Sequence, residues 1–84
     1  MNSESIREDV SRYISTNFLF DPEKKVDENQ PLIGSGVLDS TGVLELISFL
    51  EKSYKIRFND DELVAENFDS VGKISSFILR KLNP

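Results

Sequence analysis

Residues 38–54, LDSTGVLELISFLEKSY, decide the fold, because an Asp-Ser pair leads directly into an amphipathic run. The apolar residues of this run recur every three or four positions, as they do on one face of an α-helix. They are Val43, Leu46, Ile47, Leu50 and Tyr54, with Leu44 and Phe49 widening the stripe. Asp39 is a favourable N-cap, since its carboxylate accepts from free amides of the first turn and complements the helix dipole. The pattern predicts a helix from Ser40 to about Ser53, with Ser40 beside the preceding loop.

An earlier amphipathic segment predicts a first helix from Ser3 to Phe18. Its apolar face consists of Ile6, Val10, Tyr13, Ile14 and Phe18. Either Ser3 or Ser5 is a candidate for its N-cap. The helix must end before Asp21-Pro22, because proline cannot continue it.

Between Phe20 and Leu38 the periodicity is lost, and prolines and glycines accumulate. This composition predicts a long ordered loop, which is unusual in a compact domain and is often functional. The second half of the loop contains Leu32, Ile33, Val37 and Leu38. We therefore expect this half to pack against the core and to deliver the chain to Asp39.

After the helix at Ser40, residues 55–58 alternate polar and apolar side chains, but no second strand exists to pair with them. They are interpreted as an extended connection. A short third helix is predicted at about Asp60 to Glu66, with Asn59 or Asp60 as its cap. Leu63 and Val64 are the side chains available to pack this helix against the rest of the protein.

Asp69-Ser70 is predicted to cap a fourth helix, which Asn83-Pro84 ends. One face of this helix carries Val71, Ile74, Phe77, Ile78 and Leu82. The fold class is therefore all-α, a small four-helix bundle with three longer helices, one short helix and a long first loop. The 84 residues suffice for one domain, so residues 1–84 are expected to form a single domain.

The composition excludes several kinds of chemistry. Cysteine is absent, so the chain has no disulfide, no thiolate metal site and no thiol of its own to hold a thioester. Histidine is also absent, which removes the commonest general base and the usual partner of a catalytic serine. No metal site is expected, and the chain is not expected to be an enzyme.

The chain carries 15 acidic and 10 basic residues, a formal net charge of −5. This balance disfavours binding to nucleic acid and favours partners with basic docking patches. The first residues lack both a basic region and an apolar run, and no stretch has the roughly 20 apolar residues that span a bilayer. We expect a cytoplasmic monomer without a membrane span.

Ser40 is the candidate functional residue. A serine in the first turn of a helix has an accessible hydroxyl, and the free amides and the helix dipole there stabilise an added phosphodiester. Asp39 offers a modifying enzyme an anionic handle or a route to a bound divalent cation. The alternative is that Asp39-Ser40 only begins a helix, as Asp69-Ser70 also does.

The residues from Pro31 to Leu82 resemble the acyl carrier protein family. The resemblance is carried by Gly36-Val37-Leu38-Asp39-Ser40, then Val43, Glu45, Leu46, Leu50 and Glu51, then Ile56, Phe58 and Asp60-Asp61-Glu62, and finally Phe68-Asp69-Ser70-Val71. It implies that Ser40 receives 4'-phosphopantetheine from coenzyme A and carries acyl groups as thioesters. It also implies that Asp39 is needed by the phosphopantetheinyl transferase and that the second helix is the main surface recognised by partner enzymes.

The chain departs from the usual motif at two positions. Thr41 stands where the family usually has leucine or methionine, which puts in doubt a partner contact made by that side chain. Gly42 stands where fatty-acid carriers often have aspartate, and it is expected to loosen the first turn at a cost of about 1 kcal/mol relative to alanine. Glu45 and Glu51 match acidic partner-binding positions of the family, although both are equally interpretable as solvated helix residues.

The sequence leaves two alternatives for the carried group, an acyl group or an aminoacyl group. The sequence Leu38-Asp39-Ser40-Thr41-Gly42 also resembles discrete aminoacyl carriers such as those that serve D-alanine ligation. Five apolar residues could line a pocket for an acyl chain, namely Leu46, Phe49, Ile56, Phe58 and Leu63. The preferred interpretation is that they belong to the core, because amphipathic helices of this size need such residues to fold.

On the carrier interpretation, the partners are the transferase, an acyl or aminoacyl ligase, and acyltransferase or synthase enzymes. A protein-interaction module, in which Asp39-Ser40 is only a cap, is the alternative from another functional class. Acceptance of the arm by Ser40 discriminates between the two.

Overall fold

The computed structural model describes residues 2–21 and 23–83. Within these ranges the chain forms four α-helices, one short 3-10 turn and no strand. The helices are α1 (Ser3–Asn17), α2 (Ser40–Tyr54), α3 (Ala65–Phe68) and α4 (Val71–Leu82), and the 3-10 turn spans Asp60–Glu62. The predicted all-α class is confirmed. None of the described helices is long and apolar enough to cross a membrane.

The core is built from one apolar face of each longer helix, from Phe68 of α3 and from the loop before α2. Its fully buried side chains include Ile6, Val10 and Ile14 of α1, Leu46 and Leu50 of α2, Val71, Ile74 and Ile78 of α4, and Leu32 and Leu38 of the loop. Full burial of one such side chain contributes roughly 1.5–3 kcal/mol. The predicted stripe of α2 is confirmed except at Leu44, which is 64% exposed.

The first helix begins and ends close to the predicted residues, but its cap is different. The Oδ1 atom of Asn2 accepts from the amide of Ser5 at 2.8 Å, so Asn2 is the N-cap and the expectation of Ser3 or Ser5 is wrong. An asparagine one residue earlier satisfies the same free amides. The predicted stop at Asp21-Pro22 lies partly outside the described residues, since Pro22 is not among them.

The long loop packs down as predicted and is hydrogen-bonded to the start of α4. The carboxylate of Asp69 accepts from the amides of Ile33 at 2.9 Å and Gly34 at 3.2 Å. Asp69 is therefore not the cap of α4. That role belongs to Ser70, whose hydroxyl accepts from the amide of Lys73 at 3.1 Å. The amides of Gly34 and Ile33 hold the pKa of the Asp69 carboxyl below its ordinary value.

The sequence predicts one continuous third helix from about Asp60 to Glu66, and this prediction is wrong. The helical turn stops at Glu62, Val64 is extended, and α3 begins only at Ala65. Leu63 and Val64 remain exposed, and three aromatic rings pack together between the connection, α3 and α4 instead. Those rings, of Phe58, Phe68 and Phe77, have centroids 5.4 to 5.9 Å apart.

Candidate functional site at the start of helix α2

Ser40 is the first residue of α2, and its side chain is exposed. Asp39 is the N-cap, with extended backbone and an Oδ1 atom that accepts from the amide of Gly42 at 2.7 Å. Its carbonyl accepts from the amide of Val43 at 2.9 Å. These two bonds leave the amides of Ser40 and Thr41 without intrahelical partners, as in any first turn. The predicted helix boundary and the Asp39 cap are confirmed.

The electrostatics of this position favour an anion attached to Ser40. The helix dipole places partial positive charge at the first turn, and free amides there bind phosphate oxygens. A phosphodiester on the Ser40 hydroxyl would therefore lie at a favourable end of α2. The carboxylate of Asp39 is already engaged with Gly42, which fixes its direction at the edge of the loop.

The structure explains why position 42 is a glycine, which the sequence alone did not reveal. It is buried, and a Cβ atom at this position would lie 2.9 Å from Cε1 of Phe18 and 3.2 Å from Oδ1 of Asp39. The expectation that Gly42 loosens the first turn is not met, since the Asp39 cap closes that turn. Phe18 lies just after α1, far from Gly42 in the sequence. The need for glycine at position 42 therefore comes from a tertiary contact, which local sequence patterns do not reveal.

An apolar groove of about 650 Å³ runs beside Ser40, between α2 and the segment that contains α3. Its floor contains the buried side chains of Leu38, Ile47 and Phe68. Three large apolar side chains on its rim are exposed, namely Leu44 at 64%, Val64 at 44% and Leu63 at 38%. In the described part of the chain only one other large apolar side chain, that of Phe20, is exposed. Exposed apolar surface is thus concentrated next to Ser40.

The sequence pointed to a different set of pocket residues. Of the five side chains considered, only Leu63 lines the groove. Leu46 is fully buried, and the ring of Phe49 stacks on that of Tyr13 with centroids 4.1 Å apart. Their preferred interpretation as packing residues is confirmed for Leu46 and Phe49. Leu44 and Val64 were missed as groove residues because both were expected to pack inward.

The candidate partner-binding residues on α2 have different environments. Thr41 and Glu45 are exposed near Ser40. Glu51 is half-buried, and its Oε2 atom accepts from the amide of Phe58 at 3.1 Å. Glu45 is therefore free to face a partner, whereas Glu51 also holds the extended connection that follows α2.

Comparison with known proteins gave no matching family model. The D-alanyl carrier protein of Streptococcus suis (strain 98HAH33) is 31% identical to this chain over 78 residues, which are 93% of this chain and 96% of the relative. The D-alanyl carrier protein of Streptococcus pyogenes serotype M5 (strain Manfredo) is 36% identical over 70 residues, which are 83% and 86% of the two chains. The matched regions are long enough to include the start of α2.

Proposed function

This chain belongs to the family of phosphopantetheine-binding carrier proteins, and from that premise we propose that it is a discrete D-alanyl-type carrier whose attachment residue is Ser40. The observation that carries the proposal is the exposed Ser40 at the capped start of α2, beside an apolar groove. Residues 1–84 would act as one carrier domain. The curated relatives are named for D-alanine, which favours an aminoacyl cargo over a fatty acyl or polyketide cargo.

The residues at the start of α2 fit a phosphopantetheine group. Its phosphate, esterified to the Ser40 hydroxyl, would meet the positive end of the helix dipole, with the amides of Ser40 and Thr41 close by. The groove beside Ser40 would shelter the apolar portions of the arm. When bound, the group supplies the thiol that forms the thioester, which a chain without cysteine cannot supply.

We infer that the transferase supplies the base for the attachment step. The Ser40 oxygen would form a new bond to phosphorus as the phosphoanhydride bond of coenzyme A breaks, and the nucleotide would leave. The serine proton must go to a base, and this chain has no histidine to accept it. Asp39 would instead give the transferase a charged feature at a fixed position beside Ser40.

The groove and its rim form the docking surface that we propose for the transferase, the ligase and the acyltransferase. Leu44, Leu63 and Val64 provide apolar contact, and Thr41 and Glu45 lie at the same end of α2. Such a surface excludes water on contact and thereby strengthens the polar contacts at its edge. Docking here brings Ser40 to the partner's active site.

The packing beneath the groove supports a small cargo. Leu46 and Leu50 are fully buried, and the rings of Phe58, Phe68 and Phe77 are in mutual contact. A long acyl chain that extended beyond the groove into the core would have to displace these side chains, and close-packed interiors resist such displacement. An aminoacyl group on the arm needs no such space.

The test incubates the apo protein with a promiscuous phosphopantetheinyl transferase, magnesium and coenzyme A, and then records the intact mass. We expect a gain of one phosphopantetheinyl group in the wild type and in the Ser48→Ala control, which changes another exposed serine of α2. The Ser40→Ala variant should gain nothing. An unmodified wild type, in a tube where a known carrier is modified, contradicts the carrier assignment of Ser40 and favours an interaction module.

A second step tests the cargo. The holo protein is offered to a D-alanine ligase and, separately, to a long-chain acyl ligase, each with ATP. We expect a D-alanyl thioester that hydroxylamine removes and no long-chain product. Preferential loading of the long chain contradicts the D-alanyl assignment and leaves the carrier function intact.

A further inference from the structure

Residues 59–67, which lead into α3, form a segment whose backbone-to-backbone hydrogen bonds are local. The amides of Leu63, Val64 and Asn67 donate to Asp60, Glu62 and Val64, respectively. Each of these bonds joins residues within three positions of one another, so they shape the segment without attaching it to a helix. The position of this segment relative to the last turn of α4 therefore depends on side-chain contacts, in addition to the chain connection through residues 68–70.

Glu62 is the residue that joins this segment to α4 by polar contact. Its Oε1 atom accepts from Nζ of Lys81, in the last turn of α4, at 2.8 Å, and also from the amide of Asn59 at 2.8 Å. Its backbone carbonyl accepts from the amide of Val64 at 2.9 Å and from Nδ2 of Asn67 at 2.8 Å. One residue thus connects α4 to both halves of the segment.

The Glu62–Lys81 pair is partly buried and geometrically constrained. The two side chains are only 23% and 18% exposed. The Lys81 ammonium also lies 5.5 Å from the ring centroid of Phe58 and 5.8 Å from that of Phe77, within the range of cation–π attraction. The Asn59 amide and the Lys81 ammonium hold the pKa of the Glu62 carboxyl below its ordinary value. Lys81 is therefore held by aromatic faces as well as by the carboxylate.

The residues directly after Glu62 are Leu63, Val64 and Ala65, which line the groove opposite α2. We propose that Glu62 and Lys81 form a latch, the 62–81 latch, which holds this wall of the groove and sets its width. Both are positioning residues, because they act through Leu63 and Val64 and do not touch Ser40. That the groove width governs docking of the arm and of partners rests on the proposed function.

The latch is tested first on the apo protein, by amide hydrogen exchange of Leu63, Val64 and Asn67. In Lys81→Met, which keeps the length of the side chain and removes its charge, we expect exchange about tenfold faster or more at these amides. Lys81→Arg keeps the cation and should retain the wild-type rates.

The matched control is Glu28→Gln, which breaks the more exposed Arg7–Glu28 pair, 3.5 Å long; neither of these residues lines the groove. It should leave exchange at the amides of Leu63 and Val64, which line the groove, unchanged. Unchanged exchange in Lys81→Met overturns the proposal. Faster exchange spread equally over α1 and α4 also overturns it, since that result marks a general loss of stability and not a local latch.

The second readout separates the latch from the carrier function. The methyl signals of Leu63 and Val64 are compared before and after the transferase attaches the arm. We expect attachment to shift them in the wild type and in Lys81→Arg, and to shift them less in Lys81→Met. Equal shifts in all three overturn the link between the latch and the arm. Failure of the wild type to accept the arm refutes the proposed function instead, while the exchange result still decides whether the latch exists.

Discussion

The two sides of α2 are held in different ways. Towards α1 and α4, the core is made of fully buried aliphatic side chains, and α1 and α4 pack directly against each other. Towards α3, a short helix of four residues faces α2 across an open apolar groove, and the polar contact to α4 runs through Glu62 and Lys81. Tight packing fixes a helix, whereas an open apolar surface leaves Ser40 accessible. The proposed attachment residue therefore lies on the open side of α2.

Removing a core side chain should give the largest effect. Ile14→Ala on the closed side of the molecule removes a fully buried side chain, and its cavity should lower the free energy of unfolding by about 2–5 kcal/mol. Leu44→Ala on the groove rim, where the side chain is 64% exposed, should change it by less than about 0.5 kcal/mol. Urea denaturation measures both. An equal loss of unfolding free energy in the two variants would mean that Leu44 is packed and the groove is closed.

Adding a methyl group at position 42, where Phe18 packs against the first turn of α2, should lower the free energy of unfolding by a smaller amount. Gly42→Ala puts a Cβ atom 2.9 Å from Phe18, and the strain should outweigh the gain in helix propensity by about 1 kcal/mol. Gly34→Ala is the control, because its Cβ would meet Pro31 at an ordinary 3.6 Å. Combining Gly42→Ala with Phe18→Leu should remove the penalty. A stabilised Gly42→Ala single variant would contradict the role of Phe18.

Removing the helix cap of α2 in Asp39→Ala should lower the free energy of unfolding by about 1 kcal/mol. The reason is that the amide of Gly42 loses its side-chain acceptor. Asp61→Ala, at an exposed position of the 3-10 turn, is the control and should be close to neutral. If Asp39→Ala is fully stable yet loses modification by the transferase, the carboxylate acts in recognition alone.

Low pH should lower the free energy of unfolding, because Glu62 and Asp69 lose their charges. Both carboxyls have pKa values below their ordinary values of 4.5 and 3.8 when the protein is folded. A carboxyl of this kind contributes stability above its unfolded pKa and loses it as the pH falls through the folded pKa. The urea midpoint should therefore fall from about pH 4.5 downward, with a shallower slope in the Glu62→Gln, Asp69→Asn double variant. An identical slope in the double variant would exclude these two groups.

Local sequence signals predicted the start of α2 and its cap well. The start of α2 depends on the Asp39 cap and on the periodic apolar residues that follow, and both signals lie within a few residues of Ser40. The signals that were missed are tertiary. The turn at Glu62 is supported by Lys81, 19 positions later, and the need for glycine at position 42 comes from Phe18.

The groove itself could not be predicted, because its exposed rim looks like ordinary core in the sequence. Leu44 belongs to the apolar stripe of α2, and Leu63-Val64 suggested the packing face of a third helix. Leu63 and Val64 lie in the break between the 3-10 turn and α3, which takes them out of the packing face of a continuous helix. Apolar periodicity alone does not distinguish a side chain that packs inward from one that stays exposed on a groove rim.

The most direct test of the carrier assignment is tandem mass spectrometry of the protein isolated from its native cells. Trypsin should release residues 26–52 as one peptide, which contains Ser35, Ser40 and Ser48. The account predicts that this peptide carries one phosphopantetheine, that fragmentation ejects pantetheine from it, and that the modified residue is Ser40. A peptide found only unmodified, or modified at Ser35 or Ser48, would contradict it.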